Sequence, residues 1–224
     1  MNSFNPNLEQ IQYLLQNDPE TRDFFERKTV SDYNSFVRVL NKDLKNAIQR
    51  MQHDRHQYQD LSFGEDALTS VLINSLQALN YDAEHDTQHG GHCDILVKHQ
   101  SHQFEWIGEA KLWKGPAYIK GGLEQLLNRY ATATSGESAG GMLVYVRQPN
   151  ALSKLRDWHS ELSGHPSTIS IADLPEIPRE LQFDSVQTAT ASGLPYDVKH
   201  HFVSLYHATS IEPEYSVDGL PIDS

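Results

Sequence analysis

With 224 residues, 38% of them hydrophobic, the chain can bury one good core, which limits it to one domain or one domain with an appendage. A formal net charge of −12 weighs against non-specific nucleic-acid binding, yet it leaves room for a local basic cleft or a carboxylate site screened by a cation. No apolar run approaches the roughly 20 residues of a membrane span, "MNSFNPNLEQ" lacks a signal-peptide layout, and the single cysteine, Cys93, forms no internal disulfide; a soluble cytoplasmic protein without a membrane partner is expected.

Residues 1–60 read as a helical segment, a helical layer or an oligomer surface. In "LEQIQYLLQN", Leu8, Ile11, Leu14 and Leu15 recur at helical spacing. In "VSDYNSFVRVLNKDLKNAIQRMQ", Phe36, Val39, Leu40, Leu44, Ile48 and Met51 form one stripe, with Ser31 expected as the N-cap. A third helix is predicted from near Ser62, its stripe made of Leu68, Val71, Leu72, Leu76 and Leu79. Glu65 lies three residues before Leu68 and seven before Leu72, on the apolar seam. A carboxylate there needs a partner, because burying an unpaired charge is costly. The bland alternative is a first-turn acid favoured by the helix dipole.

After Tyr81 and a polar run, two alternating segments follow. In "CDILVK", Ile95 and Val97 alternate with Asp94, Leu96 and Lys98; in "FEWIGEAKLW", Phe104, Trp106, Gly108, Ala110 and Leu112 alternate with Glu105, Ile107, Glu109, Lys111 and Trp113. The polar "HQSHQ" between them predicts an antiparallel hairpin. Residues two apart on a strand share a face, so Glu109 and Lys111 point the same way, and folding the hairpin brings Asp94 toward Glu109. The stretch "EHDTQHGGHCD" also offers His85, His89, His92, Cys93 and Asp94 as zinc donors, but Gly90 and Gly91 break any helix there and no second ligand pair follows at zinc-finger spacing. An active-site edge or a polar loop is the stronger reading.

"KGPAYIKGG" reads as a loop with strong breakers, "LEQLLNRYATA" as a helix with Leu123, Leu126, Leu127 and Tyr130 on its stripe and Gln125 off it, and "GGMLVYVRQ" as a buried strand. The order helix, strand, strand, helix, strand predicts an α/β core with a mixed sheet. Beyond Pro149, "STISIAD" and "YDVKHHFVSLYHA" are candidate strands, the second with neither face cleanly apolar, and the tail "SIEPEYSVDGLPIDS" is expected to be partly unordered. The resulting division is a helical segment over 1–60, a core over 61–150 and a C-terminal β extension with an acidic tail over 151–224.

Two carboxylates within a few ångströms of each other suit a hard cation such as Mg²⁺. A lysine beside them cannot ligate while protonated, but it can grip an anionic phosphate and neutralise charge that develops on it. Together these groups fit metal-assisted phosphodiester hydrolysis. A chance Glu-x-Lys on a solvated face competes with that reading. Against it stand the apolar opposite face of the strand, the acid one hairpin upstream, and the flanking helices with Glu65 and Gln125.

Asp94 followed by Glu109-Ala110-Lys111 resembles the D…(D/E)-x-K signature of the PD-(D/E)xK nuclease superfamily, which includes restriction endonucleases, Holliday-junction resolvases and RecB-like exonucleases. The resemblance runs over residues 62–147 in the family's order: a helix bearing an acid, the signature hairpin, a helix and a strand. Cys93 stands where a proline often precedes the first acid. The resemblance implies a restriction-endonuclease-like three-layer core, a central mixed β-sheet flanked by helices, with the N-terminal helical segment added. It implies Mg²⁺, which Mn²⁺ can replace, bound by Asp94, Glu109, the Ala110 carbonyl and Glu65. Lys111 would position water and phosphate. Gln125 resembles a glutamine that some members place against the lysine or the phosphate backbone; where some members carry a tyrosine four residues on, this chain has Arg129, with Tyr130 next. Lys114 and Lys120 are candidates for tracking a nucleic-acid backbone.

The expected activity is that of a Mg²⁺-dependent endonuclease, acting on DNA first and RNA second and leaving 5′-phosphate and 3′-hydroxyl ends. A microbial defence or restriction role, a homodimer or higher homo-oligomer, and an activating partner or ligand accompany it as expectations. The alternative is a catalytically silent nuclease-fold module that binds nucleic acid or a protein partner.

Overall fold

The computed structural model describes residues 6–60, 62–86 and 93–208. Three helices come first: α1 (Leu8–Asn17), α2 (Pro19–Lys28) and α3 (Tyr33–His53). Each starts on a side chain that accepts orphan amides. Asn7 and Gln10 exchange side chain-to-amide bonds of 2.9 Å in a capping box, and Asp18 caps α2 with Pro19 in its first turn. Asp32, not Ser31, caps α3, its Oδ1 accepting from the Ser35 amide at 2.9 Å. Ser31 is one residue too early to reach the amide that a cap must satisfy. The predicted stripe of α3 is buried throughout, joined by Ala47 and Asp43. Asp43 is tolerated there because Arg27 (3.3 Å) and the Tyr81 hydroxyl (2.8 Å) both reach it. No residue of α1 is buried, and its Leu8 and Leu14 stay exposed.

A 3₁₀ turn (Arg55–Tyr58) leads to α4 (Glu65–Ala78), β1 (Asp82–Asp86), β2 (Cys93–Lys98), β3 (Glu105–Leu112), α5 (Pro116–Gln125) with a π-helical turn (Leu126–Tyr130), and β4 (Ala139–Val146). Then follow α6 (Ala151–Ser163), β5 (Thr168–Ile171), β6 (Gln182–Thr188) and β7 (Pro195–Ser204). The strands form one seven-stranded sheet in the order β1-β2-β3-β4-β7-β6-β5. It is mixed: β4 is parallel to both β3 and β7, and the remaining pairs are antiparallel. One core packs α3 and α4 on the face carrying Val97, Ala110, Leu143 and Val203. A second packs α5 and α6 on the face carrying Leu96, Ile107, Val144 and Phe202. The molecule is thus α/β, a seven-stranded mixed sheet with helices on both faces.

All eight residues of β4 are buried, which accounts for its unbroken apolar sequence between two parallel neighbours. Trp106 is wholly buried across this centre, and glycines make the room. A Cβ on Gly108 would stand 2.7 Å from Trp106 Cζ3, and one on Gly141 2.6 Å from Cζ2, so only glycine at both positions lets the indole lie over β3 and β4.

Four expectations need correction. The polar run after Tyr81 is strand β1, polar because it is an edge strand. "KGPAYIKGG" enters α5: Pro116 sits at the helix start, where a missing N–H costs nothing, and both glycines lie within the helix. The stretch after Pro149 contains α6, with Ala151, Leu155, Trp158 and Leu162 as its buried stripe. Finally, β7 looked mixed on both faces because both are buried; it lies between β4 and β6, inside the sheet. The tail 209–224 lies outside the described residues.

Candidate functional site

The register of the β2–β3 hairpin places Ile95 opposite Gly108, so one step back and one forward set Asp94 against Glu109. Both side chains share the α5 face with Leu96 and Ile107, as does Lys111. Glu65, in the first turn of α4, arrives from the other face and reaches round the end of β3, where its Oε2 accepts from the Leu112 amide at 2.6 Å. Asp94 is oriented in the same way, Oδ2 accepting from the Ala110 amide at 2.8 Å. Each of these acids therefore has one oxygen fixed by β3 backbone.

The three carboxylates gather on one ammonium. Lys111 Nζ lies 2.7 Å from Glu109 Oε1, 3.4 Å from Glu65 Oε1 and 3.6 Å from Asp94 Oδ2. The Glu109 side chain is 2% exposed and that of Lys111 12%. Glu109 Oε2 is buried without a hydrogen-bond partner, an arrangement that native interiors seldom leave unexplained. Burial, then the Asp94 charge, pushes the Glu109 carboxyl up to about 7 against the pull of Lys111. For Lys111, burial works against the charge, but Glu109, Asp94 and Glu65 outweigh it and hold the ammonium above its ordinary range.

Four of the predicted site residues thus converge: Glu65, Asp94, Glu109 and Lys111. Ala110 joins them through its amide. Gln125 ends α5, one turn after Gly122, and among the described residues no hydrogen bond ties it to the other four. Gly122 carries the close approach instead. A Cβ there would stand 2.9 Å from Lys111 Cγ, so the lysine stem lies directly along α5. Sequence reading took Gly121-Gly122 as breakers and missed this role; two glycines inside an apolar helical period were the available signal. Thr69 and Tyr145 were also missed. Thr69 Oγ1 donates to the Glu65 carbonyl at 2.8 Å and lies 3.1 Å from the Tyr145 hydroxyl, linking the first turn of α4 to β4. Lys114 is exposed, its ammonium 4.5 Å from the Tyr118 ring centre, and Lys120 is half-buried on α5.

Among the described residues no group of three or more His, Cys, Asp or Glu forms a ready-made ion cage. At this site the carboxylates are gathered on Lys111. Three acids surround one base there, and one carboxylate oxygen among them, Glu109 Oε2, is buried without a hydrogen-bond partner. Of the zinc candidates, His89 and His92 lie outside the described residues, and His85 Nε2 lies 3.3 Å from Ser70 Oγ.

No helix among the described residues is long and apolar enough to cross a membrane. Comparison with known protein families, curated proteins and solved structures finds no match to this chain.

Proposed function

We propose that this protein is a metal-dependent nuclease of restriction-endonuclease-like architecture, an endonuclease acting on DNA first and RNA second. The observation that carries the reading is the gathering of Glu65, Asp94 and Glu109 on Lys111, with Glu109 Oε2 buried and unpartnered. Asp94, Glu109 and Glu65, with the Ala110 carbonyl, would hold Mg²⁺ or Mn²⁺. Such an ion supplies Lewis acidity toward the phosphoryl oxygen and acidifies a coordinated water.

The chain's own groups do the rest. The backbone amides of Ala110 and Leu112 lock Asp94 and Glu65, so the acids are oriented before substrate arrives. Lys111, charged throughout the physiological range, grips the scissile phosphate and neutralises charge as it develops. Gln125, on the helix that backs Lys111, is the candidate for a backbone contact. A homo-oligomer with paired sites, an activating partner and a role in microbial defence belong to the same proposal.

The test is cleavage of supercoiled plasmid, single-stranded DNA and RNA with Mg²⁺, Mn²⁺ or EDTA. Wild type nicks the circular plasmid with metal, and Glu109→Ala lowers the rate by about a hundredfold or more. Cutting that persists in EDTA, or at full rate in Glu109→Ala, overturns the assignment. Nucleic-acid binding without cleavage under every metal condition favours the silent binding module.

A further inference from the structure

Among the described residues ten large apolar side chains stay exposed, and five of them sit on α1 and α2: Leu8, Tyr13, Leu14, Phe24 and Phe25. Leu8 is 69% exposed and Tyr13 66%, and neither helix buries a single residue. Apolar side chains concentrated in this way mark an interaction surface. The two helices are nonetheless fully specified by sequence: Asn7 and Gln10 close a capping box on α1, and Asp18 both ends α1 and caps α2. A helix of ten residues is marginal in water and takes its stability from packing an apolar face. Within its own chain α1 half-buries only Ile11 and Leu15. Its remaining apolar surface has no cover.

Charge selects what covers it. α1 carries one charged residue, Glu9, in a chain of net charge −12. On α2, Asp23 and Glu26 are engaged by Lys42 and Arg38 of α3. A basic partner finds on α1 only Glu9 to grip, and an anionic membrane finds no lysine or arginine there. A second copy brings the same apolar, nearly neutral face, at the place where two acidic chains repel each other least. Two helices of ten residues each match the low end of one side of a standard interface, roughly 20–30 residues. Exposed tyrosine and phenylalanine are the residue types that such contacts favour.

We infer that α1 and α2 form an isologous dimer interface between two copies of this chain, with Leu8, Tyr13, Leu14, Phe24 and Phe25 in the contact. This names the interface of the homo-oligomer proposed above, and it rests on that reading only for its purpose, the pairing of two cutting sites.

Sedimentation equilibrium of the full chain tests it. Wild type shows the mass of two chains, with a dimer Kd below about 100 µM. Leu8→Glu/Leu14→Glu, which puts charge into the contact, weakens the dimer by about a hundredfold or more. Leu8→Ala/Tyr13→Ala keeps α1, since alanine is the best helix former, and weakens the dimer by about tenfold or more. Ile177→Glu, exposed far along the chain, and removal of residues 209–224 both leave the mass of two chains. Glu109→Ala dimerises as wild type does, so failure of the dimer and failure of the nuclease assignment are read separately. The inference is overturned if wild type stays a single chain up to about 100 µM, if both α1 variants dimerise at full strength, or if removing 209–224 dissolves the dimer. Capture of single wild-type chains by anionic vesicles through Leu8 and Leu14 overturns it as well, and gives the face to a membrane.

Discussion

Glu109 has two oxygens with different fates: one meets Lys111 at 2.7 Å and the other has no hydrogen-bond partner among the described residues. That asymmetry makes its protonation a stability term. Unfolded, the residue titrates near 4.5; folded, near about 7. Between these values the folded protein holds the extra proton, so the contribution is complete below about pH 4.5 and is lost as pH rises through about 7. In metal-free protein, Glu109→Gln, which mimics the neutral form, should therefore gain on wild type from pH 5 to pH 8, by on the order of 3 kcal/mol at the upper end. Denaturant titrations at a series of pH values check it; a constant difference would mean that Glu109 is already ionised at pH 5. The pair Glu109 and Lys111 was legible in the sequence because strand alternation is strict, and Asp94 because hairpin pairing obeys one sum rule. The ammonium at the focus of the acids was not legible, since side-chain reach across three elements leaves no local pattern.

At the scale of elements, α5 is a helix whose second glycine lets it lie against Lys111. Gly122→Ala should raise helix propensity by up to about 1 kcal/mol while crowding the lysine stem. Activity is expected to fall about tenfold with the melting temperature nearly unchanged; full activity in the variant would show that Lys111 needs no such support. The same glycine pair explains the misreading of α5 as a loop, because breakers and close-packing glycines look alike in one dimension. α6 was missed as well, although Ala151, Leu155, Trp158 and Leu162 stand at helical spacing. Its partner strand hid the reason for its polarity. Trp158 Nε1 donates to His200 Nδ1 at 3.1 Å, His200 Nε2 lies 2.8 Å from Ser185 Oγ, and Gln187 Nε2 donates to that hydroxyl at 2.9 Å. A tryptophan N–H only donates, so Nδ1 is the accepting nitrogen and the ring is neutral. Polar residues that satisfy one another this way read, in sequence, as a failed strand.

For the whole molecule, β7 carries two adjacent buried histidines, His200 and His201. Burial holds both down at about 3, against an ordinary 6.5, with neighbouring histidines adding to His200 and Lys199 to both. The unfolded chain takes up these protons below about pH 6.5 and the folded chain does not, so stability is intact above that value and falls with pH toward 3. The slope is roughly 1.4 kcal/mol per pH unit for each ring. His201→Leu should remove one ring's share, shifting the acid-unfolding midpoint downward, and should raise the melting temperature at pH 7 by relieving the unpartnered nitrogen; an unchanged acid midpoint would assign the acid sensitivity elsewhere. The α/β class and the site hairpin were readable from residues 62–147, although β1 and the start of α5 in that range were not. The sheet order was not, because it depends on which distant strand pairs with β4. That pairing has a bearing on how the protein is made. During synthesis β4 emerges some fifty residues ahead of β7, so a growing chain carries a bare apolar seam at its centre until Ser204 has been added. Closure of the sheet centre is therefore expected to wait for the C-terminal third of the chain, whatever the stability of the finished fold.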